Sequence, residues 1–292
     1  MTIIEFLNLF AQLSVVLFVV SSMFAMGLSL SMPMIIQPLK NARLVLLALL
    51  ANFVLVPLLA YGIILLIPLE QSLQFGLIVM ATTAGSPFLT KLVQGAKGNL
   101  AFGVGMLVLL MVVTIVYAPI VLPLLLPGVT INPWDIAESL IVLMLIPLAI
   151  GMLIKSNLPE DAAQWQPIMI KISSVALIIM LVVQLGVNVP SIIDMIGSDG
   201  FLVMLFFIFG SLLIGYLLGG REASVRSVMG LGTAMRNVSA AIVVASQNFS
   251  NSDTLSFVLV AGLVMLLVLL PTAKRLGGSR QVSEPIPSGS GD

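Results

Sequence analysis

The sequence predicts an all-α polytopic membrane protein of about nine transmembrane helices, arranged as inverted repeats around two broken helices that cross. Three observations lead there. The chain is 60% hydrophobic and 8% charged over 292 residues, a composition no water-soluble domain has. Its apolar segments are separated by short connections whose charges alternate in kind. Two of those segments carry polar and charged residues at their centres, where a bilayer tolerates them only for a reason.

The spans read as 10–31, 44–67, 72–95, 100–126, 138–155, 166–189, 201–219, 227–249 and 254–273. Met1 to Glu5 holds no Lys or Arg, so the first span lacks the basic leader of a cleaved signal peptide and reads as a retained helix. Alternate connections carry Lys40 and Arg43, then Lys97, Lys155, Arg221 and Arg226, and finally Lys274, Arg275 and Arg280. The opposite ends carry Glu5, Glu70, Asp135, Glu138, Asp194, Asp199 and Asp253, and no base. The positive-inside rule therefore puts the N-terminus outside and the C-terminus in the cytoplasm, and it favours an odd number of spans. Lys97 and Lys171 read as interfacial anchors. The Ser-, Gly- and Pro-rich end, polar from Gly277, predicts a disordered cytoplasmic tail, 274–292.

The third span runs apolar, then Thr82-Thr-Ala-Gly-Ser-Pro-Phe-Leu-Thr-Lys91, and the eighth carries Gly232-Thr-Ala-Met-Arg-Asn237 in the same place. Each is followed by a polar hairpin and a very apolar helix ending near a proline, Pro119 or Pro271. They enter the membrane from opposite sides, so spans one to four (residues 1–126) pair with spans six to nine as an inverted repeat. Span five is an extra helix leading the second half, 127–273. Pro87 removes an amide and disfavours helix at Ser86, so the third span breaks there. Interrupted segments in corresponding halves point to a transporter site. If the two cross, two half-helix N-termini meet at the midplane, an arrangement suited to an anion.

Arg236 is the strongest single signal. A guanidinium at mid-bilayer costs about 2.5–3.5 kcal/mol on insertion scales and requires a partner, a wet cavity or a ligand. The alternative to a binding role is a structural tie to carbonyls of the broken helix. The predicted substrate or coupling site comprises Ser86, Pro87, Thr90, Lys91, Thr233, Arg236 and Asn237. Thr82, Thr83, Ser239, Asn52, Gln184 and Asn188 are further candidate lining residues, although Ser and Thr also bond back to helical carbonyls and amides also join helices.

These residues carry a resemblance. Phe24-Ala-Met-Gly-Leu-Ser-Leu30 followed by a basic loop, Ala84-Gly-Ser86 followed by Thr90, and Gly232 to Asn237 resemble the signatures of the bile acid:sodium symporter family, including its bacterial organic-anion members. The resemblance covers nearly the whole chain. It implies a core domain holding the crossed broken helices, a panel domain beside it, transport by alternating access, and residence in a bacterial inner membrane. The sodium ligands implied by the family depart here. Pro87 stands where the family has Asn, Gly232 and Arg236 where it has Glu and Gln, and Ala101 to Val113 has no side-chain oxygen. With no acid inside a span either, the expectation is a carboxylate transporter that does not use the usual sodium sites. In it Lys91 and Arg236 stand in for the ions. Arg236 is a fixed charge, and Lys91 is the candidate proton-coupling group, which makes H+ the preferred coupling ion over Na+.

Other functions fare worse. The chain has no His and no Cys, which removes zinc, haem and thiol chemistry and His-assisted intramembrane proteolysis. No paired acids lie in the spans for aspartyl chemistry. No cofactor is expected, and the partners are a small organic anion and the lipid bilayer, not nucleic acid. The alternatives kept open are sodium-coupled organic anion or bile acid symport and a non-transporting membrane receptor or scaffold.

Overall fold

A computed structural model describes residues 3–126, 132–187, 199–249 and 252–281, and its described residues are helical with short connections and no strand. Helix α1 spans Ile3–Ser29, α2 Met32–Leu39, α3 Ala42–Leu66, α4 Gln71–Thr82, α5 Leu89–Gly95 and α6 Leu100–Leu125. Helix α7 spans Pro133–Asn157, α8 Pro159–Val187, α9 Gly200–Leu218, α10 Ala223–Ala234, α11 Val238–Asn248 and α12 Ser252–Gln281. Among the described residues seven helical stretches are long and apolar enough to cross a membrane, the α10–α11 pair counting as one, and α1 contributes a shorter apolar stretch, Leu13–Ser29. The remaining hydrophobic segment is the broken pair α4–α5. Every segment read from the sequence is thus a helix or a broken helix.

Local chemistry sets the boundaries. Asn41, Asn99, Asn132 and Asn237 each cap a helix, their side-chain oxygens accepting from Leu44 N, Phe102 N, Trp134 N and Ala240 N. Pro57 and Pro147 cannot donate to the carbonyl four residues back, and each follows a π turn, Ala51–Leu55 in α3 and Ile141–Leu145 in α7. In α3 the Phe53 carbonyl so released accepts from Tyr117 Oη at 2.7 Å.

The helices form two groups. Helices α1, α7 and α8 pack on one another, and α3 to α6 and α9 to α12 form the second group. Gly27 and Gly151 bring the α1 and α7 backbones together: a Cβ on Gly27 would lie 2.2 Å from Leu148 O, and one on Gly151 2.5 Å from Phe24 O. The Gly215-x-x-x-Gly219 pattern works likewise between α9 and α10, where a Cβ on Gly215 would meet Met229 O at 2.3 Å.

The charge pattern has a structural counterpart. Asn99 N donates to Ser224 O, and Gly277 lies against the Gly95 carbonyl and Ala96, so the Lys97, Arg221–Arg226 and Lys274–Arg275 segments gather at one end. At the other end Thr254 Oγ1 donates to Ser72 O, and the Ser139 hydroxyl pairs with the Gln247 side chain, which collects Glu70, Glu138 and Asp253.

Two expectations change. The short helix α2 packs along α6 where a plain loop was expected. The tail does not begin at 274: α12 continues to Gln281, because Leu276 and Ala273 pack on the core. Residues 282–292 lie outside the described residues.

Replacing Gly27 by leucine should force α1 from α7 and cost about 1–3 kcal/mol, the usual penalty of overpacking. A lowered thermal midpoint of the purified protein in detergent is the check.

Candidate functional site: the helix crossover and the cavity beside it

The third span does break where Pro87 predicts. Helix α4 ends at Thr82, residues 83–86 are extended or irregular, 87–88 form a turn, and α5 starts at Leu89. The second break is tighter, at residues 235–237 between α10 and α11. Gly85 takes φ +82°, and a Cβ there would sit 2.3 Å from Met111 N, so only glycine lets this strand-like segment lie on α6.

The breaks are stitched to each other. Asn237 N donates to Thr83 O at 3.0 Å, and its Nδ2 donates to Gly85 O at 3.0 Å. Helix α4 packs on α11 and α10 on α5, each first half against the other's second half, so the two pairs run in opposite directions through the crossing. Thr114 of α6 clips the first break from behind: its Oγ1 accepts from Ala84 N at 2.9 Å and donates to Ala84 O at 3.1 Å.

Arg236 is fully buried at the meeting of two helix C-termini. Its Nε donates to Met80 O at 3.0 Å and its Nη2 to Ala81 O at 2.6 Å, the last carbonyls of α4. Its Nη1 donates to Thr233 O at 3.2 Å, at the end of α10, and to Asn52 Oδ1 at 2.7 Å. Asn52 sits in the π turn of α3, and its Nδ2 donates to Ala48 O and to Thr233 Oγ1. The guanidinium thus satisfies carbonyls that unwinding left without intrahelical donors, and it places positive charge where two half-helix dipoles are negative. The structural-tie reading of Arg236 is the one observed.

The other polar candidates separate into three sets. Thr82 and Thr83 bond back to Ile78 O and Val79 O of their own helix, and Thr233, Asn52 and Asn237 belong to the Arg236 and Asn237 ties. Pro87, Thr90 and Lys91 line a cavity of about 370 Å³ between α1 and α8 on one side and α5 and α6 on the other, bordered by Met34 of α2. Ser86 and Ser239 line a separate void of about 40 Å³. Gln184 lies in α8 with its side chain outside the described residues, as is Asn188 altogether.

The idea that Lys91 and Arg236 share one electropositive site therefore needs correction. Lys91 is exposed and lies over the Phe88 ring at 5.6 Å, in the large cavity, whereas Arg236 faces carbonyls inside the second helix group and does not line that cavity. A guanidinium reaches backbone oxygens as a planar fork; a lysine at the start of a solvent-side half-helix extends to water. Among the described lining residues Lys91 is the one charged group, accompanied by Ser22, Gln94, Gln166 and Ser173. Sequence reading missed Thr114, Tyr117, Gln94 and Gln166. Thr114 was findable, as the single hydroxyl of a non-aromatic side chain in the otherwise apolar α6.

A cavity between two helix groups, beside crossed broken helices, is transporter architecture. The model of the sodium bile acid symporter family matches residues 15–195, which include the first break. The chain belongs to the sodium bile acid symporter family. No curated protein matches it. As a member of that family it is an integral membrane transporter of the sodium-dependent organic-anion symporter type and not an enzyme.

Arg236→Met should leave the Met80, Ala81 and Thr233 carbonyls and Asn52 without their donor, at a cost of about 1–3 kcal/mol for each buried acceptor left unpaired. Lys91→Ala should change stability by less than about 0.5 kcal/mol, as exposed substitutions do. Thermal unfolding of both variants without added ligand checks the contrast.

Proposed function

We propose that this symporter-family protein transports a small carboxylate by alternating access and that the guanidinium of Arg236 replaces a coupling cation at its crossover. The observation that carries this is the Arg236 cage: the C-terminal carbonyls of α4 and α10 converge on a side chain that is always charged. Such carbonyl ends are what transporters of this construction offer to Na+. Here they are taken by a tethered cation that cannot leave. Pro87 and Gly232, at positions where the family has oxygen ligands, support the same reading, as does the lack of an acid at the crossover.

The substrate's charge has its counterpart in Lys91, in a cavity of about 370 Å³ lined by no described acidic residue. That volume lies within the usual range for a small-molecule site. The chain crosses the bilayer nine times in this reading, as two inverted repeats, with the basic end cytoplasmic, so that the cavity beside Lys91 opens inward. Proton coupling through Lys91, which lines that cavity, is the extension of this reading. The family's usual sodium coupling is the second reading, favoured by membership itself.

Uptake of labelled 2-oxo acids and pantoate-like hydroxy acids into proteoliposomes, in sodium and in choline buffer, is the test. Equal uptake in the two buffers is expected, and uptake confined to sodium overturns the replacement of the ion by Arg236. Absence of uptake for every carboxylate, with binding retained, would favour a receptor role.

Lys91→Ala should weaken carboxylate binding about ten-fold, the equivalent of one charge-assisted hydrogen bond. If Lys91 carries the coupled proton, the same variant flattens the dependence of uptake on pH; an unchanged pH profile rules the coupling out.

A further inference from the structure

The large cavity and the smaller space beside it share a wall of simple composition. Phe18, Phe88 and Leu177 line both spaces. Phe18 comes from the middle of α1 and Leu177 from α8, both in the first helix group. Phe88 is the last residue of the first break, in the second group. On the open side stand Lys91 and Thr90; on the far side stand Ser86 and Ser239, which are 2% and 5% exposed.

Size decides what this wall does. The space beyond the wall is about 40 Å³ against about 370 Å³ in front of it, so an anion in the large cavity meets a much narrower space behind these side chains. The three side chains carry no hydrogen-bonding group, so an anion passing them sheds water without compensation unless they part. They part if α1 and α8 move relative to the break, because two of them ride on one group and the third on the other.

We infer that Phe18, Phe88 and Leu177 form an apolar septum that sets which anions reach the hydroxyls of Ser86 and Ser239, admitting short carboxylates and excluding longer ones. The inference rests on the anion-transport reading for its substrate. The septum itself is a matter of access and can be measured without transport. Loss of the Phe88 ring joins the void to the cavity and lengthens the space available beyond Lys91.

The chain has no cysteine, so a single introduced thiol reports access without background. The rate of modification by the anionic reagent 2-sulfonatoethyl methanethiosulfonate is measured in detergent for Ser239→Cys and, as the open-cavity reference, for Ser22→Cys. Modification of Ser239→Cys is expected to be at least ten-fold slower than that of Ser22→Cys. Adding Phe88→Ala should raise the first rate at least ten-fold and leave the second unchanged. Phe18→Ala and Leu177→Ala, on the other group, provide the same comparison if Phe88→Ala does not fold.

Equal rates for the two thiols, or no acceleration by any folded septum variant, overturn the septum. The size claim is read separately, by uptake of straight-chain monocarboxylates of increasing length. Phe88→Ala should shift the preference towards longer chains, and an unchanged preference overturns the sizing role. Slow labelling relieved by Phe88→Ala, with no uptake of any anion, would leave the septum standing and reject the transport reading instead.

Discussion

The need to satisfy backbone carbonyls at the centre of a membrane protein governs this structure. Two helices are interrupted where water is scarce, and each interruption strips donors from the last carbonyls of a half-helix. Arg236 answers both at once, reaching Met80, Ala81 and Thr233 from one side chain. Burying an unpaired guanidinium is prohibitive, and leaving these three carbonyls bare is costly; together they make a closed polar unit. Asn52 completes it, because the π turn imposed by Pro57 sets its amide against both Arg236 and Thr233.

The rest of the second helix group is arranged to hold that unit still. Gly85 lets the first break lie against α6, and Thr114 fastens Ala84 there. Asn237 caps α11 while bridging to Thr83 and Gly85. These contacts lie within one group and join the two breaks to each other and to α6. Between the groups lie the cavity and, at the acidic end, the Ser139–Gln247 pair.

The two intramembrane cations consequently have different work. Arg236 is an internal counter-charge for helix ends, fixed by geometry. Lys91 is an exposed charge on a short half-helix, facing the cavity between the groups. Family membership establishes the transporter type, and the coupling ion depends on oxygen ligands at a few positions.

Much was legible in the sequence, since hydrophobic length, loop charge and proline act locally. The helical segments, the break at Pro87, the opposed basic and acidic ends and the abnormality of Arg236 all follow from terms that depend on a residue and its near neighbours. Which groups Arg236 binds did not, because two of its acceptors, Met80 O and Ala81 O, are main-chain oxygens more than 150 residues away in the chain, and a carbonyl has no sequence identity. For the same reason the sequence grouped Lys91 with Arg236, two like charges at corresponding places, and tertiary structure put them in different compartments. Thr82, Thr83, Thr233 and Asn52 have the composition of a binding site and turn out to be satisfied by backbone and by one another. Which polar groups face a cavity is settled by how the two helix groups separate, a property of packing between distant segments.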